Sequence, residues 1–170
     1  LTFLLSFVLR LWKYPFYPLA ANAEEYFSVW QGLSLIEKGV PIAWSDLPVY
    51  EKKDIYWEGV AKNYSGRGTI GVRLIKPWLD EPPLFSLIVG GISKLYKSEN
   101  FTVISPYIIR IPSLAFSFVC LLLLFLITRI LFDKWTALLS LLVYGTIPTV
   151  IFGSRLAVAE NMITMFYLIV

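Results

Sequence analysis

The sequence predicts an all-α, polytopic integral membrane protein. Hydrophobic residues make up 57% of the chain and charged residues 16%, and the mean hydropathy is +0.67. This composition is too apolar for a soluble domain. Residues 111–128 and 135–153 carry no charge, and about 18 to 20 apolar residues cross the hydrocarbon of a bilayer. These segments should be helical, because a spanning segment has to satisfy its own backbone hydrogen bonds.

Four spans are expected in chain order. The two uncharged runs supply the middle pair, at 106–128 and 135–153. The apolar runs 1–12 and 161–170 are each too short to cross. We therefore interpret them as the tail of a first span and the head of a fourth, all within the N-terminal part of one transmembrane domain.

A long connection, residues 13–105, separates the first and second spans. Near its start, five apolar residues recur at helical spacing and predict an amphipathic helix: Tyr26, Val29, Trp30, Leu33 and Ile36. Asn22 is a suitable N-cap for this helix, and Gly39 with Pro41 should end it. We expect the helix to lie on the membrane surface with its aromatic residues at headgroup depth. Residues 39–78, rich in glycine and proline, are expected to be irregular.

The run 82–93 decides the topology, since it offers only 12 uncharged residues between Glu81 and Lys94. That length favours a re-entrant or interfacial helix over a span. Six charged residues then lie on one membrane face: Glu24, Glu25, Glu81, Arg110, Arg155 and Glu160. If the run did cross, Arg110 would move to the face opposite Glu24.

The short loop 129–134 indicates which face is external. It holds Arg129, Asp133 and Lys134, and short basic loops tend to be cytoplasmic. The long connection and the 154–160 turn would then be external. We expect a multi-pass plasma-membrane protein whose site faces outside.

Several function classes are excluded. The chain has no histidine and one cysteine, Cys120, in an apolar run, so a Ser-His-Asp triad, zinc sites of the usual histidine type and a disulfide framework are absent. It has no phosphate-binding glycine motif. Its basic residues form no cluster, so a nucleic-acid partner is not expected.

The order of landmarks resembles a family. Glu24-Glu25-Tyr26-Phe27 opens the amphipathic helix, Glu81-Pro-Pro-Leu-Phe follows, Arg110-Ile-Pro-Ser opens a span, and Thr128-Arg-Ile-Leu-Phe-Asp-Lys ends it; Pro148 and Ser154-Arg-Leu-Ala-Val-Ala-Glu160 come last. This order is similar to the N-terminal part of GT-C glycosyltransferases of the protein O-mannosyltransferase and aminoarabinose-transferase type. The resemblance implies a GT-C-like helical bundle with juxtamembrane amphipathic helices.

The resemblance also implies an activity and roles for the charged residues. The enzyme would move a sugar from a polyprenyl-phosphate carrier to a hydroxyl acceptor, which is a protein, a lipid or a glycan. Glu24 or Glu25 would take the acceptor proton. Arg110 and Arg155 would hold the departing phosphate, and Glu160 would position the acceptor or orient an arginine.

Three positions depart from the family pattern. The family usually has Asp-Glu at Glu24-Glu25, or at Ala23-Glu24 if the register shifts by one, and Asp at Glu160, so carboxylate chemistry survives with a longer reach. It often has His or Lys where Glu81 stands, and this reversal of charge puts a family role for Glu81 in doubt. Two carboxylates could also hold a divalent cation, as related oligosaccharyltransferases do, so the sequence leaves metal dependence open.

Each candidate also has a structural explanation. Glu25 fits a capping box with Asn22, and Glu24 could act only on the helix dipole. Arg155 and Glu160 could form an ion pair with each other. Alternatively, Arg155 could snorkel to the lipid headgroups, and so could Arg110. Asp80 and Glu81 could be a solvated helix start. The rival function is a transporter with a carboxylate-lined path, but transporters place such groups near mid-span.

Overall fold

A computed structural model describes residues 1–18, 23–62, 69–102 and 104–170. Its contacts divide the chain into two compact units. Unit 1 comprises Leu1–Leu19 and Arg110–Val170, and unit 2 comprises Ala20–Ile109. The proposed N-cap Asn22 lies outside the described residues.

The described part is mostly helical. Its helices are α1 (Thr2–Leu11), α2 (Ala23–Lys38), α3 (Pro83–Leu95), α4 (Pro106–Ile109), α5 (Ile111–Leu131), α6 (Lys134–Thr146), α7 (Pro148–Gly153) and α8 (Glu160–Ile169), with one 3-10 turn at Lys52–Asp54. The strands are β1 (Ala43–Trp44), β2 (Ile55–Lys62) and β3 (Thr69–Ile75).

Unit 1 is a helical cluster in which α5 packs against α6 and α8, and α1 packs against α6. Within the described residues, one helix is long and apolar enough to cross a membrane, the 26-residue stretch Pro106–Leu131 that joins α4 and α5. It covers the predicted span 106–128. Apolar side chains along α5, such as Leu122 and Leu126, remain 47% and 41% exposed, as expected of a helix that meets lipid.

The segment 135–153 is not the single helix that its uncharged length suggested. It divides into α6 and α7 at Ile147, whose ψ of 119° is extended, and Pro148 begins α7. Proline disfavours the helical conformation in the residue before it and lacks the N–H that would continue the hydrogen-bond ladder. Asp133 caps the start of α6, accepting hydrogen bonds from the backbone N–H of Trp135 and Thr136 at 2.6 and 3.0 Å.

Unit 2 is built on α2, and the structure confirms the end of this helix. Gly39 has a φ of 68° and donates its N–H to the carbonyl of Leu35, a C-terminal arrangement that favours glycine. Four of the five stripe residues are buried, and Ile36 is 43% exposed. Trp30 is 7% exposed and donates its indole N–H to the carbonyl of Thr102, so its ring packs inside the protein. Its depth relative to the headgroups stays a prediction.

Helix α2 packs against α3, at a crossing that requires glycine on both helices. A Cβ built on Gly90 would lie 2.4 Å from the carbonyl carbon of Gly32, and a Cβ on Gly32 would lie 1.8 Å from the carbonyl oxygen of Ser86. The two backbones are therefore in direct contact. With 13 residues, α3 is about 20 Å long, shorter than the roughly 30 Å of bilayer hydrocarbon.

Residues 39–78 contain an antiparallel sheet in the order β1-β3-β2, so the all-α and irregular expectations were wrong here. Val72 pairs with Gly59 and Leu74 with Trp57. Val72 and Leu74 are each 4% exposed, whereas Arg73 between them is partly exposed. This alternation is typical of a strand with one buried face, and the glycines and prolines of the segment concealed it.

The glycine contact predicts an asymmetric response on α3. Gly90→Ala should destabilise the protein by ~1–3 kcal/mol, because the new methyl overlaps the backbone of α2. Gly91→Ala is the matched control, since nothing lies within 4 Å of its Cβ position, and it should be neutral or stabilise by up to about 1 kcal/mol. Thermal unfolding of the purified protein measures both, and equal melting temperatures would contradict the close packing.

Candidate functional site

The predicted site residues fall in both units. Arg110, Arg155 and Glu160 belong to unit 1, whereas Glu24, Glu25 and Glu81 belong to unit 2. The approach of Glu24 or Glu25 to the arginines stays a prediction.

Arg110 is fully buried in unit 1, immediately before α5. It donates Nη1 to the carbonyl of Tyr14 at 2.8 Å and Nη2 to the carbonyl of Pro18 at 3.3 Å. A snorkelling arginine would extend its head towards water. Arg110 instead places its charge inside the protein, so the snorkelling explanation was wrong.

Arg155, which is distant from Arg110 in sequence, donates to the same segment, residues 14–18. It is 2% exposed, lies in the turn after α7, and donates Nη1 to the carbonyl of Tyr17 at 3.2 Å and Nη2 to that of Leu9 at 2.5 Å. Burial lowers the pKa of the Arg155 guanidinium, and the positive charge of Arg110 lowers it further. Two guanidinium groups thus act on one short stretch of backbone, residues 14–18.

The Arg155 guanidinium still has donor capacity. Its Nε is buried and has no hydrogen-bond partner within the described ranges. Glu160 is exposed at the first position of α8. Within the described ranges, no ion pair joins Arg155 to Glu160. The pairing explanation for these two residues was wrong.

A third buried arginine, Arg10, was missed by the sequence analysis. It is fully buried in the last turn of α1, donates Nε to the Ser117 hydroxyl at 2.8 Å, and donates Nη1 to the carbonyl of Gly145 at 3.3 Å. It therefore ties α1 to α5 and α6. The sequence feature that could have revealed Arg10 is that it is a lone cation in the apolar run 1–12. An ionisable side chain in such a run is costly unless it has a partner or a function.

The acidic pair opens α2 in unit 2. Glu24 is exposed and Glu25 is fully buried. Both lie in the first turn of the helix, where carboxylates interact favourably with the helix dipole. Because Asn22 lies outside the described residues, the capping-box explanation for Glu25 stays open.

Glu81 lies just before α3 and is partly exposed. Its backbone carbonyl accepts a hydrogen bond from Gln31 Nε2 at 3.1 Å. The preceding Asp80 accepts hydrogen bonds from the Ser45 hydroxyl at 2.7 Å and from the Tyr50 hydroxyl. These bonds join the loop after β1 to the segment before α3. Asp80 is itself exposed, so its explanation as part of a solvated helix start stays open.

Within the described residues, no group of three or more Cys, His, Asp or Glu side chains could hold a metal ion. The chemistry present in unit 1 is cationic, with two buried guanidinium groups near one another. Such groups bind phosphate through charge-assisted hydrogen bonds. Unit 2 contributes carboxylates, which accept protons.

Comparison with known proteins gave one family. The model described as dolichyl-phosphate-mannose-protein mannosyltransferase matches residues 80–170, more than half of the chain. No curated protein and no solved structure matched. The matched residues include Glu81, Arg110, Arg155 and Glu160, and they exclude Glu24 and Glu25. The chain belongs to the dolichyl-phosphate-mannose-protein mannosyltransferase family, a family of membrane glycosyltransferases.

Proposed function

We propose that this chain is the N-terminal part of a multi-pass GT-C glycosyltransferase of the plasma membrane. It transfers a sugar from a polyprenyl-phosphate carrier to a hydroxyl group of a protein, lipid or glycan acceptor at the external face. The observation that carries the proposal is the convergence of Arg110 and Arg155 on residues 14–18, in a family named for a dolichyl-phosphate donor.

The two arginines suit a lipid phosphate. When the bond from the anomeric carbon to the phosphate oxygen breaks, its electron pair stays on that oxygen and the phosphate gains charge. Positioned guanidinium groups stabilise that charge most where water is excluded. Arg155 is buried and retains an unused Nε donor within the described part of the chain, and a buried cation gains from an anionic partner.

The acceptor side requires a base. As the acceptor oxygen attacks the anomeric carbon, its proton has to leave, and a carboxylate can take it. We assign this role to Glu24 or Glu25. Glu25 is buried, which favours a precise orientation, whereas Glu24 is exposed and open to an incoming acceptor. Glu160, exposed at the start of α8, is assigned to positioning the acceptor or an arginine.

A transporter is the alternative, and two observations weigh against it. The family is one of glycosyltransferases. Arg110 and Arg155 lie at the ends of helices, before α5 and after α7, whereas transporters bind substrate near mid-span. We therefore keep the enzyme as the proposal.

The external face is testable by labelling. In a Cys120→Ser background, the exposed residues Glu24 and Glu160 are replaced singly by cysteine, and Lys134→Cys reports the short loop. A membrane-impermeant maleimide applied to intact cells should modify the first two thiols and spare the third until the cells are permeabilised, because α3 does not cross. Labelling of only one of the first two would contradict the proposed topology.

The base is testable by isosteric substitution. Either Glu24→Gln or Glu25→Gln should reduce kcat with a polyprenyl-phosphate sugar by roughly 100-fold or more while donor binding persists, since proton removal matters only during transfer. The other substitution should cost about 1 kcal/mol of stability as a lost cap. Glu99→Gln, which neutralises an exposed carboxylate of unit 2, is the control. Wild-type kcat in both variants would exclude the assignment.

The phosphate role of Arg155 is testable against a second buried arginine. Arg155→Lys keeps the charge and loses the forked geometry, so it should raise the donor KM by roughly 10-fold. Arg10→Lys is the control, because Arg10 is equally buried and also bonded to backbone carbonyls; it should lower the melting temperature and leave the donor KM unchanged. Equal KM shifts in both variants would show that Arg155 is purely structural.

A further inference from the structure

Unit 2 contains an aromatic groove that the proposed chemistry does not use. Its volume is about 440 Å³, within the range of small-molecule sites. Six residues line it, and they are Trp30, Tyr56, Trp57, Val72, Leu74 and Phe101. Val72 and Leu74 form a buried apolar floor, whereas Tyr56 and Trp57 are 44% and 46% exposed. Large aromatic side chains are thus left partly open to solvent.

Two features of β2 build this groove. The register between β2 and β3 shifts between Ile55 and Trp57, and such a bulge re-aims neighbouring side chains, so that the consecutive residues Tyr56 and Trp57 both line it. A Cβ on Gly59 would lie 2.5 Å from the Trp57 ring. The indole therefore lies along its own strand in the space that glycine leaves.

Two lysine side chains lie beside the aromatic residues of the groove. Lys38 Nζ donates to the Tyr56 hydroxyl at 2.9 Å and lies 4.8 and 4.9 Å from the ring centres of Tyr56 and Phe101. Lys76 Nζ lies 5.9 Å from the Tyr56 ring centre. The hydrogen bond from Lys38 lowers the pKa of the Tyr56 hydroxyl. The groove thus has an apolar interior with two ammonium groups beside it.

We propose that this groove binds an anionic phospholipid of the bilayer, with a hydrocarbon chain along Trp57, Val72 and Leu74 and the phosphate near Lys38 and Lys76. Tryptophan and tyrosine are enriched at membrane interfaces, and lysine near the surface attracts anionic lipids. The inference is independent of the glycosyl-transfer site, because it uses none of the residues assigned to it.

The lining favours a lipid over a sugar or a peptide. The floor is aliphatic, and the Trp30 indole N–H is already used by the carbonyl of Thr102. The polar groups that remain are the Tyr56 hydroxyl and two ammonium groups, which suit an anionic headgroup better than the uncharged hydroxyls of a sugar ring. A peptide would not require cations beside an apolar slot. An apolar chain joined to a negative headgroup matches both parts of the groove.

Fluorescence quenching by brominated lipid tests this directly. The intact membrane protein is placed in phosphatidylcholine nanodiscs that contain a minor fraction of chain-brominated phosphatidylglycerol, or the same fraction of chain-brominated phosphatidylcholine. The Trp57 contribution is the difference between the wild type and Trp57→Phe. Quenching of this contribution should be at least roughly twofold greater with the anionic lipid.

Lysine substitutions test whether Lys38 and Lys76 cause the preference for the anionic lipid. Lys38→Gln with Lys76→Gln should remove the preference for the anionic lipid, and Lys38→Arg with Lys76→Arg should retain it. Lys52→Gln with Lys53→Gln is the matched control, because these exposed lysines change the net charge equally and do not line the groove. Equal quenching by both lipids, or loss of the preference in the control, would overturn the proposal. Displacement by sub-stoichiometric polyprenyl phosphate would overturn it as well, since the groove would then bind the carrier.

Discussion

Unit 1 depends on satisfying buried guanidinium groups with backbone carbonyls. Arg110 and Arg155 donate to the carbonyls of residues 9–18, and Arg10 donates to the carbonyl of Gly145. A buried charge without partners costs several kcal/mol, so these bonds fix where each helix end lies. The end of α1, the start of α5 and the turn after α7 are therefore held together.

The same constraint is the basis of the proposed phosphate site. Carbonyl dipoles satisfy the donors of a guanidinium without cancelling its charge. Arg155, which forms no ion pair within the described ranges, keeps a positive charge in a buried place. A lipid phosphate would supply a negative charge beside Arg155, whose Nε has no partner within the described ranges, and this is the physical reason for proposing that Arg155 meets the donor.

Sequence patterns predicted those helix boundaries that depend on neighbouring residues in the chain. The end of α2 at Gly39 followed from glycine and proline preferences, and the short uncharged run 82–93 predicted the helix that begins at Pro83. Pro148 also carried the signal for the break between α6 and α7, but the uncharged length of 135–153 outweighed it. The packing of Trp30 inside the protein could not be predicted, because it depends on contacts between residues distant in sequence. For Arg10 the sequence showed a lone cation in an apolar run, but not its partners Ser117 and Gly145.

The central claim is that buried arginines of unit 1 meet the phosphate of a polyprenyl-phosphate donor. Solid-state NMR dipolar recoupling between donor phosphorus-31 and arginine guanidinium nitrogen-15 measures this contact in the intact protein. We predict strong dephasing in the wild type and a clear reduction in Arg155→Lys. No dephasing at saturating donor, or identical dephasing in Arg155→Lys and the wild type, would contradict the claim.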